Sequence, residues 1–432
     1  MRPVRTRNLV HPTGTAVHPR HHRVSRTIRH RRIASLSVSL LRSSAARSVT
    51  AGVLAVALGV PLATQASAAE TAPGAPTGYL VQTASAGQTR AAAESVGARP
   101  SVTFDTVVHG FAAQLDATQA AELRGRPGVV GVEEDRTISA VDPQGTHQDA
   151  PADPAQDEQA PGNWGLDRID QPDLPLDGRY RHTADGSGVD VFVLDTGVDA
   201  SHPQFGGRAK LETNTIDQRN EDCDGHGTVV GGIAAAKDYG VAPGANVRAV
   251  KVLDCNGTGT LSSLLAGIDW VVQNKRGPSV AVMSWSYGNS PMLEQAVKRM
   301  IGAGVFSASS AGNTGGDDCT ALPRAVDGVL VVANSTIEDR RASNSSTGRC
   351  VSLYAPGSRI VAPVPGGGTA SYTGTSMAAP FAAGVAALYK QARGDQPAAT
   401  VRSWMLDNAV GGKISGGETG GTPNRLLQTG GL

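Results

Sequence analysis

The sequence is poor in aromatic residues, 4% of its 432 positions. Its four cysteines, Cys223, Cys255, Cys319 and Cys350, all lie beyond residue 200. No two of them have the C-x-x-C spacing of a zinc site, which disfavours metal. An even number in an exported chain points instead to two disulfides, with three pairings open. No apolar run is long enough to span a membrane; the candidate VTAGVLAVALGVPLA, residues 49 to 63, is too short. No repeat of solenoid length is present. No histidine follows His226, which excludes any mechanism that needs a histidine downstream of a late serine.

The near-neutral formal charge hides an asymmetry. Residues 1 to 69 carry 11 arginines, no lysine and no acid. Without them the chain has 28 basic and 38 acidic residues, so no nucleic-acid footprint remains. Residues 1–68 read as a secretory leader, with Ala66-Ser67-Ala68 as a small-residue cleavage site. Arg31-Arg32 stands too far from the apolar stretch to favour a twin-arginine signal. The expected location is extracellular, with no membrane attachment after the leader is removed.

Residues 69–142 read as a small domain with strands at 107 to 115 and 129 to 135. Between them lies a helix capped at Thr118 and ended by Pro127-Gly128. Residues 143–162, PQGTHQDAPADPAQDEQAPG, have no apolar periodicity and read as a cleavable linker. From 163 to 432 apolar strands alternate with helices. Strand candidates lie at 189 to 195, 248 to 254, 279 to 285, 305 to 309 and 328 to 334. An amphipathic helix covers 261 to 272 and another starts at Pro291. Such alternation predicts an α/β fold with a mostly parallel sheet covered on both faces, its active residues at the carboxyl ends of strands.

Three stretches carry chemistry. Asp195 ends a buried-looking strand in VFVLDTGV, and a carboxylate there needs a partner. His226 sits among glycines in DCDGHGT. Ser376 opens the Ala-rich helix of GTSMAAP. A serine at a helix start can be a simple cap, or a nucleophile whose own N–H helps bind an oxyanion. The order Asp…His…Ser, with D-T-G-V, G-H-G-T, S-A-G-N (310 to 313) and G-T-S-M-A-A-P, resembles the subtilisin-like serine proteases (subtilases, peptidase S8). The narrower likeness is to the secreted proteinase K and aqualysin type.

That resemblance implies a three-layer subtilisin-like catalytic domain, with the 69–142 segment an I9-like inhibitory propeptide of α+β type. It implies a serine endopeptidase made as a self-processing zymogen. Ser376 would be the nucleophile, His226 the base and then the acid, Asp195 the group that orients the imidazole, and Asn313 the oxyanion donor. Peptide substrate would lie against Gly259-Thr260-Leu261 and Ser284-Trp285-Ser286, with Ser310-Ala311-Gly312 lining the same pocket. The likeness also implies Cys223–Cys255 and Cys319–Cys350 pairing, no cofactor for catalysis and a monomer. Its partners would be protein or peptide substrates and its own propeptide. Val229 and Phe381 replace family histidines, Ser286 and Tyr287 replace small glycines, and Arg324 interrupts a Pro-Ala step. Family members of this type bind calcium through a carboxylate near the position of Ser352, with carbonyls near Asp327 and Val329. A serine oxygen is a poor substitute, so no calcium site is assigned. An aspartic protease, which needs two D-T-G or D-S-G aspartates, finds only Asp195. A silent binding protein on the same fold is the remaining alternative.

Overall fold

The computed structural model describes residues 75–140 and 163–432. The expected leader and linker lie outside the described residues. The small N-terminal unit runs β1 (Thr77–Thr83), α1 (Ala86–Ser95), β2 (Pro100–Phe104), β3 (His109–Leu115), α2 (Ala117–Arg124), β4 (Val129–Glu134) and β5 (Thr137–Ala140). The first four strands form an antiparallel sheet in the order β2-β3-β1-β4. The cap of α2 differs from the expectation. Asp116 accepts from Gln119 N–H at 2.8 Å while the Gln119 side chain returns to the Asp116 N–H. This reciprocal pair satisfies two otherwise orphaned donors, which Thr118, the second residue of the helix, cannot do. The helix also stops earlier than Pro127, at Gly125.

The larger unit continues with α3 (Trp164–Asp170), β6 (Asp190–Asp195), β7 (Ala209–Asn214), α4 (His226–Ala235), β8 (Asn246–Lys251), β9 (Thr258–Thr260) and α5 (Leu261–Asn274). Then come β10 (Ser279–Met283), β11 (Trp285–Ser286), α6 (Pro291–Gly302), β12 (Phe306–Ser310), β13 (Leu330–Ser335) and β14 (Leu353–Pro356). The chain closes with the hairpin β15 (Ile360–Val364) and β16 (Gly368–Tyr372), α7 (Thr375–Arg393), α8 (Ala398–Asn408), β17 (Val410–Gly411) and β18 (Arg425–Leu426). Nine strands form one sheet, β17-β18-β14-β13-β12-β10-β6-β8-β7, parallel throughout except at β17.

Alternation along the central strands divides the core. Val191, Val193, Val280 and Val282 face one layer, which includes α4 and α7. Phe192, Leu194, Ala281 and Met283 face the other, built on α5 and α6. Both faces are therefore covered and the strands read as continuous apolar runs. Leu80, Phe104, Val107, Val108 and Ala112 of the N-terminal unit join the α5–α6 layer. The small domain thus closes a hydrophobic surface on the large one. Disulfides join Cys223 to Cys255 and Cys319 to Cys350.

Candidate active site

Asp195 is the last residue of β6, at the carboxyl edge of the sheet, and is fully buried. Its Oδ1 accepts from Thr196 N–H at 2.7 Å and meets His226 Nδ1 at 2.8 Å. His226 is the first residue of α4, after Gly225 in the left-handed region (φ 100). A Cβ on Gly227 would lie 2.1 Å from the Gly197 carbonyl oxygen, so the helix can approach the Asp195 loop only with glycine there. Burial opposes a charge on the imidazole, but the carboxylate of Asp195, with Asp224 and Asp222 further off, outweighs it. The pKa is held above the ordinary 6.5. With Nδ1 committed to Asp195, Nε2 is the nitrogen left for proton transfer.

Two residues that sequence reasoning missed hold this pair. Asp222 Oδ1 accepts from Thr196 Oγ1 and Gly225 N–H; its Oδ2 accepts from Thr228 N–H and Oγ1. One buried carboxylate thus ties the Asp195 loop to the start of α4. Lys251, fully buried at the end of β8, donates to the carbonyls of Thr196 (2.7 Å) and Leu253 (3.0 Å). The only trace of Asp222 in the sequence is an extra acid ahead of G-H-G-T. Nothing local marks Lys251, whose shorter bond is to Thr196 on another segment.

Ser376 is the second residue of α7, where backbone N–H groups have no intrahelical acceptor. Pro380, four residues on, has no N–H to give to the Ser376 carbonyl. That carbonyl instead accepts from Ser284 Oγ at 3.4 Å. Asn313 is anchored by its side-chain oxygen, which accepts from Thr375 N–H (2.9 Å) and Thr375 Oγ1 (3.0 Å). Its Nδ2 lies 3.3 Å from where a Cβ on Gly374 would be, so a side chain at Gly374 would crowd the amide. The Asn313 amide is therefore fixed at the N-terminus of the helix that carries Ser376, where negative charge is favoured.

The two expected peptide-binding edges do face each other, with a strand between them. β5 pairs antiparallel with β9, Ile138 opposite Gly259, and with β11, Ser139 opposite Ser286 and Ala140 opposite Trp285. Leu261 is not in the edge strand; it begins α5 and is buried. The Trp285 side chain is core, its Nε1 donating to the Leu194 carbonyl. Arg324 is buried and bonds to two of the residues expected to line the pocket. It donates from Nε to the Ser310 carbonyl at 2.8 Å and from a second N–H to the Ser286 hydroxyl. Burial pushes its pKa down to about 10. Val229 and Phe381 are both fully buried among apolar neighbours.

The residues near Ser352 do not fit calcium. The Ser352 hydroxyl accepts from Val331 N–H at 3.2 Å and lies 3.4 Å from an Arg402 guanidinium nitrogen. A cation already stands against the only side-chain oxygen expected to serve as ligand. Among the described residues no group of three or more histidine, cysteine or acidic side chains is placed to hold a metal ion.

Comparison with known proteins gives the same direction. The subtilase family (peptidase S8) matches residues 186–430, and the peptidase inhibitor I9 family matches residues 67–140. Alkaline serine exoprotease A of Vibrio alginolyticus is 41% identical over 326 residues, 75% of this chain and 59% of that protein. An extracellular serine proteinase of Thermus sp. (strain Rt41A) is 40% identical over 343 residues, 77% of this chain and 78% of that protein. The crystal structure of a cold adapted subtilisin-like serine proteinase superposes with a TM-score of 0.60 at 43% identity, covering 63% of this chain and 98% of the other. The chain belongs to the subtilase family of serine endopeptidases and carries an inhibitor I9 propeptide ahead of its catalytic domain.

Proposed function

We propose that the protein is a secreted serine endopeptidase made as a zymogen that cuts itself, using Asp195, His226 and Ser376 with an oxyanion hole from Asn313. Ser376 Oγ attacks the peptide carbonyl as His226 Nε2 takes its proton. Asp195 holds the ring and stabilises the imidazolium. The developing oxyanion is met by the Asn313 amide and the Ser376 N–H. His226 then gives the proton to the leaving amine, and a water, deprotonated by the same histidine, frees the acyl group. No step calls for a cofactor.

The observation that carries this reading is β5. A segment of the chain's own propeptide lies as the middle strand between β9 and β11, the way an extended substrate adds to two sheet edges. One rung beyond the Ala140–Trp285 pair on the β11 side comes Ser284, whose hydroxyl holds the Ser376 carbonyl. By that register the first bond cut follows Val141, which lies outside the described residues. Ala140 is then the second residue before the scissile bond, and Ile138 the fourth. The cut falls just ahead of the 143–162 linker.

Intact mass of the secreted protein, wild type beside Ser376→Ala, tests this. Loss of the propeptide by the wild type alone, with a product beginning at Asp142 before any further trimming, is the expected result. Equal trimming of both assigns processing to another protease. No trimming of either, with no hydrolysis of an unfolded protein, leaves a silent protease fold.

A further inference from the structure

The chain's own strand in the groove also marks what stands beside each substrate position. The Ala140 N–H donates to the Gly257 carbonyl at 2.7 Å. Gly257 is in the left-handed region (φ 66) and has no side chain. A Cβ built on it would lie 3.5 Å from Ala140 Cβ and 3.6 Å from Asp224 Oδ2. Those two atoms are therefore at most about 7 Å apart, and apart from residues 256–258 no other heavy atom lies within 4 Å of the point between them. The alanine methyl cannot use the carboxylate. A lysine or arginine at that position carries its charge several ångströms past Cβ and can.

Asp224 is held for such a role. Its Oδ1 accepts from the His226 backbone N–H at 3.1 Å, and among the described residues it has no ion pair. It is exposed even with β5 in place, and among the described residues no basic side chain is paired with it. Its charged neighbours are Asp195 and Asp222, which reinforce a negative field, and His226, which opposes it only when protonated. We propose that Asp224 is a specificity-determining residue that selects lysine or arginine at the second residue before the scissile bond. Being exposed, the pair gives modest selectivity, roughly two- to fivefold. The proposal rests on the proteolytic reading above.

The test is kcat/KM for quenched peptides of one sequence with lysine, alanine or glutamate placed in turn at each of the four positions before the cut. The expected result is lysine over alanine, and alanine over glutamate, at the second position only. The preference should shrink in high salt. In Asp224→Asn, which keeps an acceptor for the His226 N–H, the lysine-to-alanine ratio should fall to about one. In Asp224→Lys glutamate should become favoured. Equal rates in the wild type, a preference at another position, or an unchanged ratio in Asp224→Asn overturns the proposal while leaving the protease intact. Absence of cleavage in any peptide, with no self-processing, overturns the reading beneath it as well.

Discussion

Replacing Asp195 by asparagine would preserve the shape of the site and delete a fully buried charge. The bond to His226 Nδ1 fixes which imidazole nitrogen faces substrate, and an amide can hold the ring in the wrong tautomer. Asp195→Asn should therefore lower kcat by on the order of 10⁴-fold. The pH profile adds a readout that misfolding would not produce. In the wild type His226 titrates above 6.5 because nearby carboxylates favour its charged form. As the proposed base His226 must be neutral to act, so activity should be present above that pKa and lost as pH falls through it. The acidic limb of kcat/KM should lie above pH 6.5 and move to lower pH in the variant. A limb in the same place for both would show that Asp195 does not set the charge of His226. Asn313 makes a separate contribution. On the proposed mechanism the amide binds the oxyanion, so Asn313→Ala should cost about 10²–10³ in kcat with little change in KM. A loss confined to KM would put the amide on ground-state binding instead.

Helix ends, as well as helix bodies, join the propeptide to the enzyme. Asp135 accepts from Ser262 N–H and Oγ in the first turn of α5, and Glu133 accepts from Met292 N–H in the first turn of α6. Each carboxylate answers orphaned donors and the positive end of a helix dipole, worth about 1 kcal/mol. In return Asp269 of α5 accepts from Thr106 and Val107 N–H. With Asp135→Asn and Glu133→Gln together, the inhibition constant of added propeptide should rise on the order of tenfold or more. An unchanged constant would mean that β5 pairing alone sets affinity. Elsewhere, a Cβ on Gly165 of α3 would sit 2.4 Å from the Phe381 ring and 2.7 Å from Pro356 Cβ. Both neighbours are buried, so Gly165→Ala should destabilise by roughly 1–3 kcal/mol in urea unfolding. A change under a few tenths would show that α3 can lift away freely. These contacts also show what the sequence could convey. The apolar runs of β6, β10 and β12 announce a covered parallel sheet, and D-T-G-V with G-H-G-T announces the Asp195–His226 pair. Asp135 and Glu133 bond to other segments, and so do Asp222 and Lys251 through Thr196; no local pattern encodes those pairings. The cap of α2 was legible in Asp116-x-x-Gln119 but hidden by a nearer threonine.

Across the whole molecule one hydrophobic layer belongs to two domains. The sheet of the N-terminal unit packs its own small core on one face through Tyr79, Val81, Phe111, Ala113 and Leu115, with Ala92, Ala93, Ala120 and Leu123 from its helices. On the other face Leu80 and Ala112, with Phe104, Val107 and Val108, join side chains of α5 and α6. The resemblance in the motifs made this domain legible as a propeptide, while strand alternation alone left open which face it would bury, and against what. A domain of about 70 residues is marginal even with a complete core. Cut from its partner, this one would expose five apolar side chains that are at most 3% exposed in the structure. Residues 75–140 made alone should therefore show little secondary structure by circular dichroism. Helix and strand signal should appear when the folded Ser376→Ala catalytic domain is added, because ligand that binds only the folded form draws the equilibrium toward it. The Asp135→Asn, Glu133→Gln pair should need more catalytic domain for the same signal. A fully folded isolated domain would mean that its small core suffices and that the shared layer serves affinity alone.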